Sequence, residues 1–188
     1  MMPSTPASPT RGTLSAAASA ALSAAISTAQ RVPDSLISAL GRFSIAAIFW
    51  KSGQTKVEGF AIDLIDCSVT LGWPHLSDSA VALFRDEYRL PLLDPVLAAT
   101  AAAFAEHFFP LLLLVGLATR FAAAALLGMT MVIQLFVYPD AYPTHGVWAT
   151  VLLVLIARGG GTLSLDHLIA RRCQRTQQIP DTYSNAAM

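Results

Sequence analysis

The feature that most constrains this chain is a set of apolar stretches too long for an ordinary soluble core. A hydrocarbon layer is about 30 Å thick, so a helix that crosses it needs roughly 20 mostly apolar residues. Four segments approach that length. The first runs from Ser35 to Gly53 around Ile45-Ala-Ala-Ile-Phe-Trp50, and the second from Pro95 to Leu117, ending in Leu111-Leu-Leu-Leu-Val115. The third runs from Arg120 to Tyr138, and the fourth and shortest from Gly146 to Ala157. Composition agrees: 54% of the residues are hydrophobic and 13% charged, against about 25% charged in a soluble domain. Twelve basic residues balance twelve acidic ones, so no net field draws in nucleic acid.

Short links make antiparallel neighbours. Only Gly116 to Thr119 separate the second and third segments, and Pro139 to Thr144 the third and fourth. The long connection runs from Gln54 to Asp94. Within it, Val81-Ala-Leu-Phe-Arg-Asp-Glu-Tyr88 reads as a short amphipathic helix at the membrane interface. The expected fold is therefore an all-α membrane protein, a four-transmembrane-helix bundle with a short amphipathic helix in the first extracytoplasmic loop. Arginines crowd the tails and the second connection, at Arg11, Arg31, Arg120, Arg158, Arg171, Arg172 and Arg175. The positive-inside rule then places both termini in the cytoplasm of a multi-pass plasma (inner) membrane protein, with the long loop outside.

Three regions follow. Residues 1–33 form an Ala/Ser-rich tail, disordered over Met1–Thr10 and a weak interfacial helix or disordered leader beyond. Residues 34–168 are the membrane domain, and 169–188 a polar cytoplasmic tail. Alanine runs from Ala98 to Ala105 and from Phe121 to Gly128, with Gly116 and Gly128, let helices approach closely in lipid. Trp50, Trp73, Tyr138, Tyr142 and Trp148 suit interfacial anchoring. Gly159-Gly-Gly161 reads as a helix cap and turn, with Ser164 capping a short surface helix after it.

Ionisable groups inside spanning segments are costly and so are candidates for function. They are Arg42 and Lys51 in the first segment and Glu106 and His107 in the second, with Gln134 a polar partner in the third. A rise of about 1.5 Å per residue puts Arg42 at roughly 10 Å from the cytoplasmic end, Glu106 at roughly 18 Å, Gln134 at roughly 21 Å and Lys51 at roughly 24 Å. The candidate polar centre is Arg42, Lys51, Lys56, Glu106 and Gln134, with His107 and His145 secondary. One reading is a buried charge network that locks helix register. The functional reading is a proton relay, or a polar pocket for a quinone or another small ligand. Glu106 would carry the proton, and Arg42 and Lys51 would be its electrostatic partners. No metal site is expected, because no Glu-x-x-His or His-x-x-x-His pair occurs. Two distant cysteines, Cys67 and Cys173, form no Cys-x-x-Cys dithiol. No residue identifies a catalytic group, and no cofactor is demanded.

The stretches Gly41-Arg-Phe, Ile48-Phe-Trp-Lys-Ser-Gly53 with Lys56, Glu106 with Pro110, Gly116-Leu-Ala-Thr-Arg120 and Arg158-Gly-Gly-Gly-Thr-Leu-Ser-Leu-Asp166 together resemble the DoxX family of small four-helix membrane proteins. The resemblance covers Ser35 to Leu168, and Arg42, Gly53, Lys56, Glu106, Gly116 and Arg120 match it residue by residue. It implies an inner-membrane bundle. Some members are similar to the small subunit of a thiosulfate:quinone oxidoreductase, and others associate with thiol or oxidative-stress enzymes. Phe49–Gly59, Gln134–Ala141 and Thr144–Trp148 further resemble a subgroup grouped with metallophore-like peptide and modification proteins. The resemblance thus implies an accessory subunit of a quinone-linked redox or stress-response system, rather than a stand-alone oxidoreductase, with quinone as the candidate cofactor. The alternative is a non-catalytic organiser that recruits a redox or metal-handling partner in the bilayer. A small transporter ranks last, since no inverted repeat or broken helix is evident.

Overall fold

The computed structural model describes residues 11–63 and 67–177. The disorder expected for Met1–Thr10 and the end of the polar tail, 178–188, lie outside the described residues. The chain divides into two units, Met1–Asp34 and Ser35–Met188. The first holds helix α1, Arg11–Ala29. Its hydroxyls fold back on their own helix: Ser23 donates to the Ser19 carbonyl, and Ser27 and Thr28 both donate to that of Ala24. Satisfied in this way, serine and threonine tolerate a helix interior.

The second unit contains α2 (Asp34–Gln54), β1 (Val57–Asp63), β2 (Ser68–Leu76), α3 (Asp78–Leu83), α4 (Pro95–Val115), α5 (Thr119–Val132), α6 (Tyr142–Arg158) and α7 (Leu165–Gln177). A π-helical turn, Phe84–Tyr88, continues α3, and a second, Ile133–Val137, continues α5. Among the described residues three spans are long and apolar enough to cross a membrane: Pro95–Val115, Thr119–Val137 and Pro139–Arg158. The last is longer than its apolar run suggested, because the 3₁₀ turn Pro139–Ala141 leads straight into α6.

Helix α2 has the length, 21 residues, without the hydropathy. Its buried face is Ser38, Arg42, Ile45, Ala46, Phe49 and Gly53, one stripe at helical spacing. The large apolar residues Leu36, Leu40 and Phe43 point outward. The buried stripe thus mixes Ser38 and Arg42 with core apolar residues, while large apolar side chains also cover the outward face.

The expectation of an all-α chain needs one correction. The long connection folds first into an antiparallel hairpin, with Val57 opposite Leu76, Ile62 opposite Val69 and Asp63 opposite Ser68. Val57-Glu-Gly-Phe-Ala-Ile62 and Ser68-Val-Thr-Leu-Gly-Trp73 carry the β-branched and aromatic residues that favour strands. The register slips between Glu58 and Phe60. Gly59 takes φ +82° there, and a Cβ would collide with the Trp73 carbonyl, so only glycine fits this bulge.

Ile45, Phe49, Leu113, Leu126, Leu152 and Leu155 form the main core, with Ala46, Ala122 and Ala123 letting the helices close on one another. Phe84 packs on Ala98, Ala99 and Ala102 of α4 in a second cluster. Gly128, expected at a helix contact, has open space where its side chain would be. Gly116 instead ends α4 in the left-handed region at φ +70°, the usual role of glycine at that position.

Polar caps fix the helix ends. Asp94 accepts from the Val96 and Leu97 N–H groups at 3.0 and 3.1 Å, with Pro95 starting α4. Ser164 Oγ accepts from His167 N at 3.2 Å at the start of α7. The start of α5 is capped from a distance: the Asp166 carboxylate accepts from Ala118 N at 2.7 Å and Thr119 N at 2.9 Å. In return Asp166 N donates to the Gly116 carbonyl at 3.0 Å. Burial pushes the Asp166 carboxyl up, but the Thr119 and Ala118 N–H groups and the Arg42 charge outweigh it, and the net shift is downward. A depressed carboxyl stabilises the fold above its unfolded value, about 3.9, and that contribution fades as pH falls through the folded value. Asp166→Ala is expected to cost about 1 kcal/mol at neutral pH. Thermal unfolding in detergent should show the gap to wild type constant above about pH 5 and shrinking on further acidification.

Candidate functional site

Lys56 lies just beyond α2, where Thr55 N and Lys56 N donate to the Ser52 and Gly53 carbonyls at 3.2 and 2.9 Å. This closing turn sends the Lys56 side chain back along the helix. Its ammonium meets Glu106 Oε2 at 2.7 Å, Ser52 Oγ at 3.1 Å and the Ser52 carbonyl at 3.2 Å. An ammonium has three hydrogens, and all three are used. The Lys56 and Glu106 side chains are 6% and 4% exposed, so this is a buried ion pair. Gly53 makes it possible, since a Cβ there would stand 2.8 Å from the His107 ring and 3.1 Å from Glu106 Cβ. The helices can pass this closely only with hydrogen at that position.

The expected centre is in part dispersed. Lys56 and Glu106 come together. Lys51 does not join them and is exposed. Arg42 is buried but sits about two turns further along α4, giving Nη1 to the Leu113 and Leu114 carbonyls at 3.0 and 3.3 Å and Nη2 to the Leu163 carbonyl. It thereby closes the carbonyl end of α4, whose last groups have no helical partner. Gln134 sits in the second π turn, with Nε2 2.6 Å from the Pro139 carbonyl and Oε1 2.7 Å from His145 Nδ1.

His107 is fully committed. Gln54 Oε1 accepts from Ile62 N at 2.7 Å, so Gln54 Nε2 donates to His107 Nε2 at 2.8 Å. His107 Nδ1 then carries the hydrogen and gives it to the Ala103 carbonyl at 2.7 Å. The ring also meets Trp50 edge-on, centroids 5.0 Å apart. This chain of bonds ties α2, β1 and α4 together and leaves no nitrogen free.

Beside the ion pair lies a cavity of about 410 Å³, within the usual range for a small-molecule site. Its walls are mostly apolar, with Ala101, Ala105, Leu93 and Val132 among them; its polar members are Ser52, Lys56, Glu106, Tyr88, Tyr138 and His145. The sequence pointed to Tyr138 only as a membrane anchor and to Tyr88 only as part of the interfacial helix, because their meeting depends on the loop helix folding over α4. Their rings stand 5.7 Å apart, edge to face, and Tyr138 Oη donates to Glu87 Oε1 at 2.7 Å. Burial pushes the Tyr88 phenol above its ordinary value, so it stays protonated. Among the described residues, no three His, Cys, Asp or Glu side chains gather around a common point.

With this arrangement in view, the comparison with protein families is decisive. The DoxX family model matches residues 37–139, more than half of the chain. The chain belongs to the DoxX family. It is accordingly a multi-pass membrane protein in contact with the bilayer. The DoxX match takes in α2, the hairpin, α4, α5 and the Lys56–Glu106 pair, and it ends before His145. Neither a curated protein nor a solved structure matches the chain.

A buried pair broken on one side leaves an uncompensated charge. Lys56→Met is therefore expected to destabilise the protein by about 3–5 kcal/mol, while Lys56→Met with Glu106→Leu recovers most of that loss. Thermal unfolding of the two single variants and the double variant checks this, and additive losses would show the two groups to be independent. Gly53→Ala should cost about 1–3 kcal/mol through overpacking against His107.

Proposed function

We propose that this DoxX protein is an accessory subunit of a quinone-linked redox or stress-response system, and that its cavity holds a quinoid ring beside Lys56 and Glu106. The observation that carries this reading is the cavity: about 410 Å³, mostly apolar, with one buried ion pair on its wall. An isoprenoid quinone is a flat ring with polar oxygens on an apolar body, and its tail needs lipid. The surroundings suit both parts. No residue set for a stand-alone reaction is visible beside them, which favours an accessory role.

In this reading α2 is the fourth spanning helix, with Leu36, Leu40 and Phe43 facing lipid. Both termini lie in the cytoplasm of the inner membrane, and the hairpin and α3 lie outside. The candidate centre narrows to Lys56 and Glu106; Arg42 and His107 hold the frame around it.

A second reading has one observation in its favour. Leu71 and Trp73 of β2 are 79% and 89% exposed, which suits an organiser that recruits a redox or metal-handling protein through the hairpin. Cross-linking from position 73 in membranes would capture such a partner, whereas lipid anchoring of Trp73 would give none.

The test of the first reading is a quinone inventory. Protein purified in mild detergent is extracted with organic solvent and its quinone quantified against an Ala101→Phe variant, which fills the cavity and leaves the ion pair in place. Near-stoichiometric quinone in wild type, reduced at least tenfold in the variant, is the expected result. Equal amounts in both, no higher than in an unrelated four-helix control, would end the quinone reading.

A further inference from the structure

Several hydrogen positions around the cavity are determined by their partners, and they say which ligand groups can be satisfied there. Lys56 has spent all three hydrogens. The Ser52 hydroxyl oxygen accepts one of these at 3.1 Å. The Glu87 carboxylate can only accept, so it takes the Tyr138 hydrogen. Neither Lys56 nor Tyr138 has a hydrogen left for a ligand.

His145 is the reverse case. The Pro139 carbonyl can only accept, so the Gln134 amide must present its NH₂ there and its oxygen to His145. Facing an oxygen, His145 Nδ1 must carry the ring hydrogen. In the neutral imidazole this leaves Nε2 as a lone pair, and no partner for it exists among the described residues. His145 is 6% exposed and lies on the cavity wall. The Trp148 indole, on the same wall with its centroid 5.0 Å from the His145 ring, adds one N–H donor. A hydroxyl oxygen can accept from an indole N–H and give its own hydrogen to an imidazole lone pair. A carbonyl oxygen can do only the first.

We propose that the cavity selects the hydroxyl-bearing quinol over the quinone, with His145 Nε2 accepting the ligand O–H and Gln134 acting as the positioning residue that locks the ring tautomer. This rests on the quinone-linked reading above. The quinol has two O–H groups and the quinone none, so only the quinol pairs the imidazole nitrogen on the cavity wall. Leaving that nitrogen desolvated and unpaired is expected to weaken quinone binding by roughly tenfold or more. Tighter binding of the reduced form raises the midpoint potential of the bound couple, by about 30 mV for each tenfold preference in a two-electron couple.

The test uses the full chain in lipid nanodiscs at pH 8, titrated anaerobically with a short-chain ubiquinol analogue and with the matching quinone. Quinol binding at least about tenfold tighter is expected. His145→Phe should bring the ratio near one, because it removes both the acceptor of the quinol O–H and the unpaired nitrogen that penalises the quinone. Gln134→Leu should lower the ratio as well and shift the ¹⁵N signals of the His145 ring away from the Nδ1-protonated pattern, which a merely structural role would not do. Equal affinities in wild type, or a preference for quinone, would overturn the selectivity and leave the quinone-linked reading standing. Binding of neither compound would overturn both.

Discussion

The structure depends on a buried ion pair that only a close helix crossing permits. Moving two charges out of water is expensive, and the attraction between them repays it only with good geometry and every hydrogen placed. Lys56 meets that condition through Glu106 and the two Ser52 oxygens. The condition is local but its consequences are not. It requires α2 to stop where it does, so that Lys56 can fold back, and it requires Gly53 where α2 meets Glu106. The hairpin begins at the next residue, and the Lys56 carbonyl accepts from Ser77 N at 2.9 Å, which sets the start of α3. The loop helix that covers the cavity is thereby hung from the residue that defines its polar wall.

Apolar burial alone cannot hold such an assembly, since lipid is as apolar as leucine and offers helices no comparable drive to associate. Polar ties supply direction. Arg42 joins α2 to the end of α4 and to Leu163; Asp166 joins the start of α7 to the start of α5; Gln54 and His107 join α2 to β1 and α4. Each tie uses backbone groups that a helix end or a strand edge would otherwise leave unpaired. This explains why α2, which supplies two of the three, carries Arg42 inward and falls short of the hydropathy of the three spans.

Much of the frame was legible from composition, because a run of 20 apolar residues has few alternatives. The partners of the charges were not. Depth along a helix placed Glu106 between Arg42 and Lys51, but a helix turns about 100° per residue, and nine residues separate the two cations. They stand on opposite faces, and Lys51 could not have joined Arg42 inside. Lys56 lies beyond the end of α2, and the closing turn rather than helical spacing brings its side chain back to Glu106. Arg42 binds main-chain carbonyls, which no residue pattern announces. The hairpin left only two short alternating stretches in a loop, a signal easily outweighed by the helical pattern around it.

The alanine run of α4 was read as a packing surface, and it proves to have two. Ala99 and Ala103 face protein and are buried to a few per cent or less. Ala101 and Ala105 are on the cavity wall. A side chain that ends at Cβ brings two elements together wherever a neighbour follows it in, and leaves a void wherever the neighbour is held back. Here the neighbour is held back by polar bonds that cannot shorten: Gln134 fixes the π turn after α5 to Pro139 and His145, and Tyr138 is fixed to Glu87. A void kept open by hydrogen bonds on one side and an ion pair on the other does not collapse when empty. On the quinone-linked reading, a molecule could therefore enter such a void from the bilayer and leave it without refolding the frame.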